Sequence, residues 1–421
     1  IISAFIGVAI SYSDFYLFHL ILVFVAITWI IQLKENNYRL NLKIFSKNYV
    51  YPLIAVFFWY SLSLFWAPSL ELGFKYIFYL FCGIIICISI ISFSKNIDNF
   101  NSIFKGLSFF ILIEIVIALF ESFTSFRMPI SSYSSIAAVF GKEPINYSEF
   151  DSLLFYSNIK PPTGFRWNTN DLAICMVISL PFFLCINKSL IRFFGIFSIT
   201  TIVIMTASRA AFLGLLVSYS LYLLLIKKQI GTLLFVWTAS FLLLWGMIQF
   251  SDSQNPRINE IANTIQALTL YMSGEIDVSG SIQWRRELID NGLEALANSY
   301  GVGVGAGGSV ANQEIIGPVD GRFTSMHNFW VELLVEGGLV TALIIFFWLS
   351  IIIYKLFIIS KTNNNSHIRY YSESLFLSLI AFIPAAIAAS STIYFFPMWI
   401  MFGFAITVIL LSKNTSEITS Y

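Results

Sequence analysis

The sequence is poor in charged residues, cysteine and histidine, and each shortage argues against a class of protein. Only 11% of the 421 residues are charged, against roughly 25% in soluble domains, so most of the surface must face lipid. The four cysteines lie in apolar stretches without histidine partners at metal-ligand spacing, which predicts apolar packing rather than disulfides or metal binding. The net charge is +1 and no basic run exceeds a pair such as Lys227-Lys228, so nucleic-acid binding is not supported.

What the sequence has instead is a series of apolar segments separated by polar connections. A helix needs about 20 predominantly apolar residues to cross a bilayer. Because 57% of the chain is hydrophobic, we predict an all-α, polytopic membrane protein with about 12 transmembrane helices. The predicted spans are residues 1–12, 15–33, 50–66, 74–93, 102–122, 168–187, 191–207, 209–226, 230–250, 338–359, 372–389 and 392–411.

Two long polar stretches, residues 123–167 and 251–337, interrupt a single predicted membrane domain over residues 1–421. Cytoplasmic loops of membrane proteins are rich in lysine and arginine. Most basic residues of the short connections fall on one side of the predicted bundle, and only Lys75 and Arg209 fall on the other. We therefore expect a multi-pass protein of the bacterial cytoplasmic (inner) membrane. Both long stretches would be extracytoplasmic loops, the larger one partly helical.

Arginines on the outer side are the first candidates for function. Arg209 lies between two apolar spans, where a charge is costly unless it has a role; the alternative is an interfacial arginine that binds lipid headgroups or caps the backbone. Arg285 and Arg286 open an amphipathic helix in the larger loop. An arginine fork suits phosphate oxygens, although twin arginines are also ordinary on a solvated helix face.

A glycine run and a histidine follow in the same loop. The run from Gly301 to Gly308 is no nucleotide loop, since no Lys-Ser/Thr follows it; it is either a flexible turn or a place where backbone approaches a ligand or a neighbouring helix closely. His327 opens a helix that returns to the membrane, with Asn328 or a neighbour as its cap. The histidine is either structural or a group that moves protons near neutral pH.

A metal site is not expected, because no His/Cys/Asp cluster has ligand spacing and Glu332 and Glu336 make a poor ligand set. We expect no cofactor either. In a metal-free mechanism, the arginines would neutralise a phosphate leaving group.

These motifs, in this order, resemble the O-antigen ligase / Wzy-type polysaccharide polymerase superfamily. They are Ser208-Arg209-Ala210, Arg285/Arg286, Gly303-Val304-Gly305-Ala306-Gly307, and His327-Asn328 with Glu336-Gly337-Gly338. The motif-level resemblance covers roughly residues 164–345. One departure is Gly338-Leu339-Val340-Thr341, which lacks the last glycine of the family's usual Gly-Leu-x-Gly.

The resemblance implies a GT-C-like, metal-independent glycosyltransferase whose donor is an undecaprenyl-diphosphate-linked glycan, with the larger loop as the catalytic loop. By position it implies that His327, Arg209 and Arg286 are catalytic, although the twin arginine leaves the choice between Arg285 and Arg286 open. The residues expected to bind substrate are Arg285, Arg166, Asn328, Trp330, Gly303 and Gly305. The expected partners are the lipid-linked oligosaccharide, membrane lipid, a chain-length regulator and a flippase.

Three functions are compatible with this sequence. The first is a polymerase that joins lipid-linked repeat units, which we favour because the outer loops are moderate in size. The second is a ligase that moves finished glycan onto lipid A core or protein. The third is a flippase for the same units, which would need charged residues along the spans, whereas most candidate groups lie on one face.

Overall fold

A computed structural model describes most of the chain and includes every candidate residue named above. Residues 145–160 of the first predicted loop and residues 250–280 around the start of the second lie outside the described part. The described residues are 1–13, 15–35, 47–144, 161–249, 281–319, 324–389 and 393–418.

The described part is mostly helical, with one short antiparallel hairpin of β1 (Ser11–Tyr12) and β2 (Phe15–Tyr16). The α-helices are α1 (Ile2–Ile6), α2 (Leu17–Glu35), α3 (Lys47–Leu62), α4 (Leu70–Phe93), α5 (Ile97–Phe123), α6 (Thr169–Cys185), α7 (Ser189–Met205), α8 (Arg209–Leu221), α9 (Ile230–Gln249), α10 (Ser281–Asn298), α11 (Gly308–Ile316), α12 (Phe329–Thr362), α13 (Ser366–Ala385) and α14 (Phe396–Ile418). Short 3-10 turns occur at Gly7–Ala9, Ser63–Phe65, Ser135–Phe140 and Ala386–Ala388, and a π turn at Tyr222–Lys227.

Six helices in the described part are long and apolar enough to cross a membrane: Leu70–Phe93, Ile97–Phe123, Arg209–Lys227, Phe329–Thr362, Ser366–Ala388 and Phe396–Lys413. Shorter apolar helices are Tyr49–Phe65, Thr169–Cys185, Ser189–Met205 and Ile230–Ser240. These helices fit an all-α membrane protein, and each overlaps a span predicted from hydrophobic length. The number of about 12 spans stays a prediction.

Residues 1–12 are an exception, because they do not form the spanning helix predicted for them. Helix α1 ends at Ile6, and Gly7 follows with a φ of +49°, a backbone conformation that favours glycine. The hairpin then attaches to the first loop, since the Ser13 amide donates a hydrogen bond to the Phe140 carbonyl. Ala4 and Phe5 are buried in the protein core. Apolar composition alone does not distinguish a segment buried in protein from one that faces lipid.

Helices α6, α13 and α14 form the interior of the bundle. α13 packs against α6, α8 and α12, while α14 packs against α4. The Ser378 hydroxyl of α13 donates to the Ile178 carbonyl of α6 at 2.7 Å, which satisfies a polar group inside the apolar layer. These helices therefore hold the lipid-facing ones around a common core.

Basic residues gather at one end of the bundle. Lys361, Arg369 and Lys227 all lie within electrostatic range of the Glu373 carboxylate, and the Lys361 ammonium also donates to the Leu225 carbonyl at 2.7 Å. Helix α12 runs from Phe329 at the opposite end to Thr362 at this one. The loop that contains His327 is therefore separated from Lys227, Lys361 and Arg369 by the length of the bundle.

The glycine run packs directly against a break in α12. Gly338 has a φ of 68° and a ψ of −173° and interrupts the helix. The Val304 amide donates to the Val335 carbonyl at 2.8 Å, and the Gly305 amide donates to the Glu336 carbonyl at 3.0 Å. A Cβ on Gly303 would lie 2.5 Å from the Glu336 oxygen. The sequence left two interpretations of the run, a flexible turn or a close backbone approach. The structure shows close approach to a neighbouring helix.

We expect Gly303→Ala to destabilise the protein strongly. Its φ of +95° disfavours an alanine by about 1–3 kcal/mol, and the backbone of α12 leaves no room for the methyl group. The matched control is Gly231→Ala in α9, where a Cβ meets nothing within 4 Å. Thermal unfolding in detergent, followed by tryptophan fluorescence, measures both variants. Equal melting temperatures would show that the close contact is not a constraint.

Candidate active site

A cavity of about 470 Å³ lies at the end of the bundle opposite Lys227, Lys361 and Arg369. It is lined by parts of the chain that are distant in sequence: the amino-terminal turn, α4, the first loop, the start of α6, His327 and the residues before α14. Its lysine, arginine, aspartate and histidine residues are Lys75, Lys142, Arg166, Asp171 and His327. Formal positive charge exceeds negative charge, so the cavity suits an anion.

His327 has an unusual backbone and an unsatisfied side chain. Its φ is +48°, in the left-handed region that non-glycine residues seldom adopt. The next residue, Asn328, caps α12 by accepting hydrogen bonds from the amides of Trp330 and Val331. Nδ1 of His327 is buried and has no hydrogen-bond partner among the described residues. A strained histidine with an available buried nitrogen is typical of a functional site.

The surroundings keep this imidazole neutral. Burial, followed by the positive charge of Arg285, lowers the pKa of His327 from 6.5 to about 4. At pH 7 the side chain is therefore uncharged and able to accept a proton. Because Arg285 lowers this pKa, its guanidinium lies within electrostatic range of His327.

The twin arginines lie on different faces of α10. Arg286 is paired with Asp290 at 3.6 Å, and its side chain is 59% exposed. Arg285 shares its helix face with Leu288, which is buried, and with Gly292, which contacts the Met326 side chain. Met326 is the neighbour of His327 in the chain. The fold thus brings Arg285 to His327 and turns Arg286 towards solvent.

Arg209 lies at the same end of the bundle, but it does not line the cavity. It is the first residue of α8 and is half-buried. The turn Ala386–Ala388 contacts both α8 and α12, so it links the helix that begins at Arg209 to the helix that follows His327. Arg209 and His327 therefore belong to neighbouring elements on one face of the bundle.

Arg166 lines the cavity, although its guanidinium is bound by other residues of the protein. Nε lies 3.0 Å from the Glu114 carboxylate, and Nη1 donates to the Phe5 carbonyl at 2.6 Å. The residue is only 4% exposed. These contacts fix the position of Arg166, and the Glu114 carboxylate offsets its charge.

Three other predicted substrate-binding residues contact protein rather than this cavity. Trp330 donates from Nε1 to the Ile383 carbonyl at 2.8 Å and packs against Phe382. The amide of Gly303 donates to the Ser299 hydroxyl, and the amide of Gly305 donates to α12. None of the three lines the cavity at His327, although Gly303 lines a second cavity.

Sequence reasoning missed Lys142 and Asp171 as cavity residues. Lys142 lies over the rings of Tyr16 and Trp167, at 5.8 and 5.3 Å from their centroids. Asp171 follows the α6 cap Asn168, which makes it look like an ordinary first-turn carboxylate. Lys75 carried a signal, because it was the one lysine in the short outer loops.

Comparison with known proteins agrees with the predicted resemblance. Residues 194–346 match the family described as O-antigen ligase. The chain is also 23% identical to the teichuronic acid biosynthesis protein TuaE of Bacillus subtilis (strain 168) over 430 residues, which cover 99% of this chain and 83% of that relative. The resemblance inferred from the motifs is confirmed. The matched region includes Arg209, both twin arginines and His327.

We expect Arg285→Gln to raise the pKa of His327, because the variant removes a nearby positive charge while burial, the larger cause, remains. Nuclear magnetic resonance of histidine-labelled protein in detergent measures this pKa. The sequence has 3 histidines, so assignment by single substitution is practical.

The matched control is Arg286→Gln, which removes the same charge one residue away. Since Arg286 pairs with Asp290 on the exposed face, its loss should change the pKa of His327 much less. Equal shifts in the two variants would contradict the assignment of Arg285 as the neighbour of His327.

Proposed function

We propose that this chain, whose residues 194–346 match the O-antigen ligase family, is a polysaccharide polymerase. It would transfer an undecaprenyl-diphosphate-linked glycan onto a lipid-linked repeat unit at the outer face of the cytoplasmic membrane. The observation that carries the proposal is the cavity in which neutral His327 meets Lys75, Lys142 and Arg166.

The reaction needs charge stabilisation above all. An acceptor hydroxyl attacks the anomeric carbon of the donor, and the bond between that carbon and the diphosphate oxygen breaks. The electron pair leaves with the lipid diphosphate, so negative charge develops on the leaving group. Cationic side chains placed beforehand around that position stabilise the transition state more than the ground state. Lys75 and Lys142 in the cavity wall, with Arg285 near His327, supply such charge without a metal ion, whereas the charge of Arg166 is paired with Glu114.

His327 would take the proton of the acceptor hydroxyl. It is neutral at pH 7, and its Nδ1 has no partner among the described residues. When an anionic diphosphate binds nearby, its charge favours the imidazolium form and raises the pKa of His327. Substrate binding would therefore convert a weak base into one better suited to the operating pH.

The position of the cavity supports an extracytoplasmic reaction. The cavity lies at the end opposite Lys227, Lys361 and Arg369, and membrane proteins keep such basic residues on the cytoplasmic side. A lipid-linked diphosphate carries its own leaving group, so the transfer needs no ATP. We further propose that the bundle is a GT-C-like glycosyltransferase that works with a flippase and a chain-length regulator.

A ligase is the second candidate, because the matching family is described as O-antigen ligase. The relative TuaE has the more general name of teichuronic acid biosynthesis protein, which does not specify a ligase. Deletion of the gene separates the two functions. A polymerase mutant should retain single-repeat glycan, whereas accumulation of long lipid-linked chains would overturn polymerase in favour of ligase.

We expect the purified protein in nanodiscs to extend lipid-linked repeat units without ATP and in the presence of a chelator. His327→Ala and Arg285→Ala should each lower the rate by about 10²–10³, the usual effect of losing one well-placed catalytic group. Arg209→Ala tests the arginine of the first motif, Ser208-Arg209-Ala210. Products are resolved by gel electrophoresis of labelled glycan.

The matched control is Lys188→Ala, which removes an exposed charge from the connection between α6 and α7. Its rate should equal that of the wild type. Full activity in both His327→Ala and Arg285→Ala would remove the site assignment, and the absence of any extension by the wild type would count against the proposed function itself.

A further inference from the structure

A second cavity, of about 580 Å³, lies among α10, α11 and the connection between α3 and α4. It shares no lining residue with the cavity at His327. Its volume is in the range of small-ligand sites, which run from about 300 to 1,000 Å³. The polar and aromatic residues that line it are Trp66, Asn291, Glu294, Asn298, Ser299 and Asn312.

An apolar cluster lies beside residues of both cavities. Val304 packs with Met326 and Val335 in a small buried cluster, and Ala295 of α10 packs against it. Val304 and Ala295 line the second cavity, while Met326 directly precedes His327. His327 and the second cavity are therefore both adjacent to the same apolar cluster.

The lining of the second cavity suits an uncharged, hydroxyl-rich ligand. Asparagine amides both donate and accept hydrogen bonds, as sugar hydroxyls require. No lysine, arginine or histidine is among the lining residues of the described chain, and Glu294 contributes a negative charge. A diphosphate would find no counter-charge here, in contrast to the cavity at His327.

Two of the lining side chains are held in position. Trp66 donates from Nε1 to the Gly303 carbonyl at 3.0 Å and packs edge-on against Trp59 at 5.9 Å, yet 38% of the residue is exposed. The Asn291 amide donates to Gln313 at 3.0 Å. A fixed indole presents an apolar face for the C–H face of a sugar ring, while a fixed amide selects the orientation of a hydroxyl.

We propose that the second cavity binds uncharged sugar rings of the glycan while the diphosphate occupies the cavity at His327. The identity of that glycan rests on the proposed function. The cavity itself is inferred from the lining chemistry, and so binding of glycan without lipid or diphosphate is its direct consequence.

Cysteine protection tests this binding. Cys82, Cys87 and Cys175 are buried, and Cys185 is half-buried near Lys227 and Glu373 at the other end of the bundle, so a membrane-impermeant maleimide should label the wild type weakly. Asn298→Cys places a thiol in the cavity, and Glu314→Cys places a thiol at another exposed position, on α11 outside the cavity. The probe is the repeat-unit oligosaccharide released from its lipid diphosphate by mild acid. We expect it to slow labelling at position 298 and not at position 314.

A kinetic measurement complements the protection assay. The double variant Asn298→Ala/Asn312→Ala should raise the KM for lipid-linked glycan by about tenfold, the effect of losing two neutral hydrogen bonds, with little change in kcat. His327→Ala should lower kcat and leave protection at position 298 in place. This split separates a glycan-binding role from a general loss of structure.

The outcomes distinguish this inference from the proposed function. Extension by the wild type without protection at position 298, and with an unchanged KM in the double variant, would overturn the second cavity and leave the polymerase standing. Protection at position 298 in a protein that extends no glycan would support the cavity and count against the polymerase. Equal protection at positions 298 and 314 would also overturn the inference.

Discussion

The arrangement of both cavities depends on the close backbone contact between the glycine run and the broken start of α12. Gly338 interrupts the helix, and a Cβ at Gly303 would lie 2.5 Å from the Gly338 nitrogen. This contact holds α10 against the loop that contains His327. One face of α10 then presents Arg285 to the histidine, and another face lines the second cavity. A side chain at either glycine would push α10 away from both.

Charge is distributed along the bundle in two different ways. At one end, Lys227, Lys361 and Arg369 lie within electrostatic range of Glu373. This arrangement suits the cytoplasmic boundary of a membrane protein. At the other end, Lys75, Lys142 and Arg166 line a cavity together with His327, which burial, and then the charge of Arg285, keeps neutral. The first pattern orients a protein in a membrane, whereas the second concentrates positive electrostatic potential in one cavity.

Much of the helical framework could be predicted because its causes are local. Apolar length predicted a span at 191–207, and the structure has α7 at Ser189–Met205. Asn328 was a candidate cap from its residue type alone, and it caps α12. The span predicted for residues 1–12 was wrong because their apolar side chains enter the protein core. Hydropathy does not distinguish a side chain buried in protein from one that faces lipid.

The sequence by itself determined which residue types were present for chemistry and on which side of the bundle they lie, since the order of apolar spans alternates the connections between two ends. Only the tertiary structure decided which of them meet. The choice between Arg285 and Arg286 depends on how α10 is rotated against Met326. The presence of Lys142 and Asp171 in one cavity depends on how the first loop folds over α6. Such proximities arise from packing between segments distant in the chain, which no local pattern encodes.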